Sequence, residues 1–202
     1  MPRLTTSVLD PDCFTGETVP TIATGDGLIL GAWTADHAPA VRAAFADPAI
    51  QRWHARSAQS DDEVLGWIVG WNAQWTERSD AHWAVMDSAQ TLVGRVSLKY
   101  FDLDDGQAEV AYWTVPNARG NGVGPRAVRA VTAWAFDTVG FHRLELMHSV
   151  DNPASCRVAD KAGFVLEGTK RSAALHADGW HDMHLHARIR AIGTYPGSCE
   201  IA

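Results

Sequence analysis

Arg119, Gly120, Asn121, Gly122, Val123 and Gly124 place three glycines within five residues, between a strand-like run ending at Val115 and a helix-spaced segment opened by Pro125. No other stretch limits so strongly what the chain can fold into. Strand, turn and helix must follow one another here, and a glycine turn at a helix start lets several backbone N–H groups converge on one anion at the positive end of the helix. A phosphate-bearing ligand is the expected occupant. A Walker loop is excluded because no Lys followed by Ser or Thr comes after the last glycine, and the glycine spacing excludes the dinucleotide fingerprint. The same glycines also suit ordinary turn chemistry, so the neighbouring elements must decide between the two uses.

Those elements alternate in type. Leu28 to Trp33 reads as a short strand and Ala38 to Ala46 as a helix stopped by Asp47 and Pro48. Ser60, Asp61, Asp62 and Glu63 form an N-terminal capping signal for a helix that carries Trp67, Trp71 and Trp75 on one face. His82 to Met86, Leu92 to Tyr100 and Gln107 to Val115 predict an antiparallel meander. After the glycine loop, Val128, Val131, Ala135 and Val139 keep helical spacing; Arg143 to Val150 reads as a strand, and Pro153 to Ala162 as a short helix closed by Gly163. Phe164 to Leu175 and Trp180 to Ile189 predict a hairpin about Asp178 and Gly179. The expectation is one α/β (α+β) domain with a mixed sheet over 25–193, an irregular N-terminal extension over 1–24 and a short C-terminal tail over 194–202.

Composition narrows the function classes. The 202-residue chain has no run of about 18 apolar residues and no basic start followed by an apolar stretch, so a cytoplasmic protein without a membrane partner is expected. A formal charge of -7 gives no general attraction to nucleic acid. Cys13, Cys156 and Cys199 lack any paired spacing and read as free thiols. His176, His181, His184 and His186 are the densest titratable group, with His184 and His186 on one strand face. An exposed or substrate-lining polar face is the favoured reading and no metal is expected, because a metal needs three oriented ligands and their supporting shell. The tryptophan stripe serves either as core or, through Trp71 and Trp75 together with His54, as the wall of an acceptor pocket. The abundance of aromatic residues is compatible with a homodimer surface.

Glu109, Tyr112 and Trp113 before the loop, Arg119, Gly122 and Gly124 within it, His142 and Arg143 after its helix, Asn152 with Ser155, and Lys161 with Gly163 and Phe164 together resemble the GNAT superfamily of N-acetyltransferases, most closely its RimJ/RimL branch. The resemblance spans roughly Leu28 to Ile189. It implies a mostly antiparallel central sheet flanked by helices, with two splayed strands, Gln107 to Val115 and Arg143 to Val150, holding acyl-CoA. It places the pyrophosphate of acetyl-CoA on Arg119, Gly120, Asn121, Gly122, Val123 and Gly124, the pantetheine on backbone near Val115, and Asn152 and Ser155 beside the coenzyme. Acetyl-CoA is the implied cosubstrate, and the partner is an amine, either a protein N-terminus or a small molecule such as an antibiotic. Two departures stand out: Ala159 occupies the position where many of these enzymes carry a tyrosine, and Pro125 removes one N–H near the phosphates.

An attacking amine must be neutral although a free alkylamine is protonated at pH 7, so the site needs a proton acceptor and a group that steadies the departing thiolate. Glu109, in an otherwise apolar strand, suits the first role, or else pairs with a nearby Arg at a sheet edge. Ser155 suits the second, or else caps its helix. Backbone N–H near Val115 is the expected oxyanion donor. Transfer is expected to be direct, without Cys156 as nucleophile. The competing reading is a non-catalytic acyl-CoA-binding or sensor module.

Overall fold

A computed structural model describes residues 5–191. Residues 1–4, the predicted tail over 194–202 and Cys199 lie outside the described residues. Eight strands form one sheet: β1 (Ile22–Ala23), β2 (Ile29–Gly31), β3 (Ala81–Met86), β4 (Leu92–Asp102), β5 (Gln107–Thr114), β6 (Arg143–Ser149), β7 (Val165–His176) and β8 (Gly179–Ile189). Five helices accompany them: α1 (Ala38–Ala44), α2 (Pro48–His54), α3 (Asp61–Thr76), α4 (Val123–Trp134) and α5 (Pro153–Lys161). The spatial order is β1-β2-β3-β4-β5-β6-β8-β7, antiparallel throughout except for β5 and β6. No described helix is long and apolar enough to cross a membrane.

Alternation along the central strands gives the sheet two apolar faces. Ala81, Trp83 and Val85 of β3 join Val96, Leu98, Ala108 and Val110 against the buried stripe Ala127, Val128 and Val131 of α4. On the other face Trp33, Val41, Val64, Ile68, Trp71 and Trp113 form a second cluster under α1 and α3. Ser60 caps α3 by accepting from the Glu63 N–H at 3.1 Å, as its sequence signal requires. Beyond α4 a wide helical turn over Ala135–Val139 ends at Gly140, whose φ of 100° favours glycine.

Two elements depart from the sequence reading. Asp47 and Pro48 end α1 but also begin α2: the Asp47 carboxylate accepts from the Ile50 N–H at 3.0 Å and Pro48 takes the first helical position. The N-terminal extension is woven into the fold. Leu9, Phe14 and Val19 are buried in the α4-side core, Ile22–Ala23 pairs with β2, and the indole N–H groups of Trp75 and Trp83 donate to the Gly16 and Pro20 carbonyls.

Candidate active site

β5 and β6 pair only through Gln107, Ala108 and Glu109, opposite Arg143, Leu144 and Glu145. Beyond Glu109 the strands part. The gap opens into a cleft of about 470 Å³ walled by Tyr112, Trp113 and Thr114 of β5, the glycine loop, one side of α5, and Ile50, Trp53 and His54 of α2. The missed helix α2 therefore supplies one whole side of the site.

The loop leaves several N–H groups without backbone partners. Gly120 and Gly122 have φ of 81° and 73°, values that spare glycine the strain other residues would bear. Arg119 N–H donates to Pro116 O and Arg126 N–H to Gly122 O, while the N–H groups of Gly120, Asn121 and Gly122 donate to no other described backbone group. Val123 and Gly124 add the first helical N–H groups, which a helix leaves without internal partners. Helix α4 starts at Val123, two residues before the Pro125 start read from sequence, yet Pro125 still sits in the first turn, where its missing N–H costs no helical bond. A Cβ at Gly124 would stand 3.4 Å from Tyr112 Cε2 and Val158 Cγ2, filling the cleft floor. Arg119 braces the loop: its Nε donates to Thr114 O at 3.2 Å and its guanidinium pairs with Asp47 at 2.5 Å. This contact draws the Asp47 carboxyl below its usual range.

Across the gap, Asn152 caps α5 by accepting from the Ser155 N–H at 3.1 Å. That cap leaves the Ser155 hydroxyl free for the cleft, where it lies 2.8 Å from the Tyr112 hydroxyl. Burial pushes the Tyr112 phenol up to about 12, with Ser155 pulling the other way. Ala159 is fully buried in the core, and the phenol of this cleft comes from Tyr112 on β5. Tyr112 was visible in sequence as a motif residue, but its meeting with Ser155, 43 positions later, depends on the splay.

Glu109 occupies the last paired position before the strands part, on the sheet face opposite Tyr112, and does not itself line the cleft. Lys99 and Glu145 flank it on β4 and β6. Burial raises its pKa; Lys99 opposes that, Glu145 adds to it, and the more distant Lys170 and Asp80 act in the same two senses. Arg143, the nearby cation, pairs instead with Glu145 and Glu167. His54 lines the cleft, and burial, reinforced by Arg95, pushes it down to about 3, so it is neutral at physiological pH. Arg95 lies over the Trp71 ring with its Nε unpaired, and burial together with Arg56 lowers it to about 10.

Three site expectations change. Trp71 and Trp75 do not line the cleft: Trp71 packs on Trp33 at 5.0 Å in the α3-side core, and Trp75 packs on Phe14 and Trp134 in the other. Their spacing marks burial. Val115 does not offer its backbone to the gap, because its N–H donates to Val93 O and its carbonyl accepts from the Ala118 N–H. Since strand groups alternate sides, the backbone of Tyr112 and Thr114 faces the gap side instead, with the Thr114 carbonyl already accepting from Arg119 Nε and its N–H left for the gap. The four-histidine group divides in two. His176 and His181 stack at 4.4 Å beside Trp53, whereas His184 and His186 turn to the opposite face and meet His148.

The family model for the acetyltransferase (GNAT) domain matches residues 27–165. A ribosomal-protein-serine acetyltransferase of Escherichia coli is 28% identical over 131 residues, 65% of this chain and 73% of that protein. The uncharacterized N-acetyltransferase YoaA of Bacillus subtilis is 23% identical over 167 residues, 82% of this chain and 94% of its own length. Among solved structures, a RimL ribosomal alpha-N-protein acetyltransferase in complex with coenzyme A superposes with a TM-score of 0.76 at 22% identity, covering 84% of this chain and 98% of that one. The microcin self-immunity acetyltransferase MccE, in complex with acetyl-CoA and AMP, gives 0.76 at 18% identity, covering 88% and 99%.

Proposed function

The chain belongs to the acetyltransferase (GNAT) family, and on that premise we propose that it moves an acetyl group from acetyl-CoA directly to a primary amine in the gap between β5 and β6. The observation that carries this reading is the convergence on one cleft of an anion-ready loop, an open strand edge and the Tyr112–Ser155 hydroxyl pair. The residues fit the cosubstrate. The N–H groups of 120–124 would hold its pyrophosphate, the Tyr112 backbone and the Thr114 N–H its amides, and Asn152 the wall beside it. When bound, acetyl-CoA supplies an acyl group activated as a thioester.

The chain's own groups divide the remaining work. Glu109, with its raised pKa and its place where the strands part, would accept the amine proton directly or through a water. Tyr112 and Ser155 would steady the departing sulfur by hydrogen bonding. A phenol pushed up to about 12 does not surrender its proton to a thiolate of ordinary pKa about 8.5, so the pair stabilises charge without supplying a net proton. His54, neutral and beside the gap, would line the acceptor path.

The relative named as a ribosomal-protein-serine acetyltransferase supports a protein amine as acceptor, and a small-molecule amine is the other acceptor class to test. Thiol release from acetyl-CoA, measured with N-terminal peptides, polyamines and aminoglycoside-like amines, tests the reading. Release that depends on at least one amine class is expected. Acetyl-CoA binding with no amine-dependent release from any class would favour a binding or sensor module.

A further inference from the structure

His148 on β6, His184 and His186 on β8 and Cys156 on α5 stand on one face of the sheet, outside the residues used above. One ligand atom from each lies within 4.8 Å of all the others. The period of two puts His184 and His186 on the same side of β8, and the β6–β8 register sets His148 directly opposite His184. His148 and His186 stack with ring centres 5.1 Å apart, and their Nε2 atoms are 3.1 Å apart.

We propose that His148, Cys156, His184 and His186 form a zinc site that fastens α5 to the sheet. His148 Nδ1 lies 2.8 Å from the Ser149 carbonyl, which can only accept, so that nitrogen carries the hydrogen and Nε2 presents its lone pair inward. This is the outer support that metal-bound histidines make. His186 is fully buried, and its Nδ1 and the buried Nδ1 of His184 have no hydrogen-bond partner. Ligation through Nδ1 would give the buried His184 nitrogen the partner it lacks, whereas His186 would bind through the Nε2 that already faces His148.

Three imidazoles and a thiol select a borderline-soft divalent ion over magnesium or calcium. Tetrahedral zinc with bonds of about 2.0–2.1 Å to nitrogen sets its nitrogen ligands about 3.3 Å apart, near the 3.1 Å already present between His148 and His186. Cys156 Sγ, on α5, already lies within 4.8 Å of one ring nitrogen of each histidine. Four protein ligands close the coordination sphere, so the ion serves structure, and what it holds is the helix that carries Asn152 and Ser155. Sequence spacing favoured no metal because His148 and Cys156 come from other elements.

The test is Co²⁺ titration of untagged, chelator-stripped full-length protein followed by visible absorption, with zinc content measured on protein as isolated. One equivalent of Co²⁺ with tetrahedral bands and a thiolate charge-transfer band is expected. Cys156→Ser should lose the charge-transfer band, and His184→Ala should weaken binding at least about tenfold, while His176→Ala leaves both unchanged. Circular dichroism checks that each variant folds. A folded Cys156→Ser protein with an unchanged cobalt spectrum, or wild type that takes up no stoichiometric Co²⁺ or Zn²⁺, overturns the proposal.

Discussion

Replacing Glu109 with Gln removes a charge and keeps the shape, so the stability and the activity of the variant should move in opposite directions. Burial and Glu145 hold the Glu109 pKa above its ordinary 4.5. A carboxyl with a raised folded-state pKa contributes stability below its unfolded pKa and loses that contribution as pH rises through the folded value. Wild type and Glu109→Gln should therefore be alike at about pH 4, and the variant should become the more stable as pH climbs toward 8. The plateau difference is about 1.4 kcal/mol for each unit by which the folded pKa is raised, and each kcal/mol moves the midpoint temperature of a chain this long by about 2–4 °C. Amine-dependent thiol release should meanwhile fall at least about tenfold, a barrier increase of about 1.4 kcal/mol. Urea midpoints across this pH range, read beside initial rates, check both halves. Stability curves that stay parallel would refute the burial account, and an unchanged rate would refute Glu109 as proton acceptor.

Other perturbations separate binding from chemistry. Tyr112→Phe and Ser155→Ala should each lower kcat by about tenfold to a hundredfold with little change in KM for acetyl-CoA, measured by steady-state kinetics. Gly122→Ala, at a φ of 73°, should cost about 1 kcal/mol of stability and raise KM for acetyl-CoA. Gly124→Ala should hold stability within about 1 kcal/mol yet raise the same KM, because the new methyl enters the cleft floor. Deleting residues 1–20 removes three buried side chains at about 1.5–3 kcal/mol each, so denaturation should register a loss on the order of 5 kcal/mol while KM in any folded fraction is unchanged.

What the sequence made legible was local. The glycine loop, the strand before it and the helix after it are contiguous, and their turn and capping signals act over a few residues, so the loop could be proposed as the phosphate end of the site before any fold was known. The acceptor side could not. Asp47 and Pro48 carry the same signal whether they end α1 or begin α2, and only the packing of Trp53 and His54 into the cleft distinguishes the two. Trp71 and Trp75 show the limit of periodicity, which identifies a buried face but not what covers it. Strand parity could have assigned Val115 to β4 and separated His181 from His184 and His186. The meetings of Tyr112 with Ser155 and of His148 with His186 depend on the splay and the sheet register, which no short pattern encodes.

If the loop over 119–125 and the open edge of β5 hold acetyl-CoA in the β5–β6 gap, the cosubstrate should shield those amides. Amide hydrogen exchange with and without acetyl-CoA should then show slower exchange over 119–125 and 112–114, with no change in the N-terminal extension. Tight binding that leaves those amides as fast as in the free protein, with protection elsewhere, would contradict that placement.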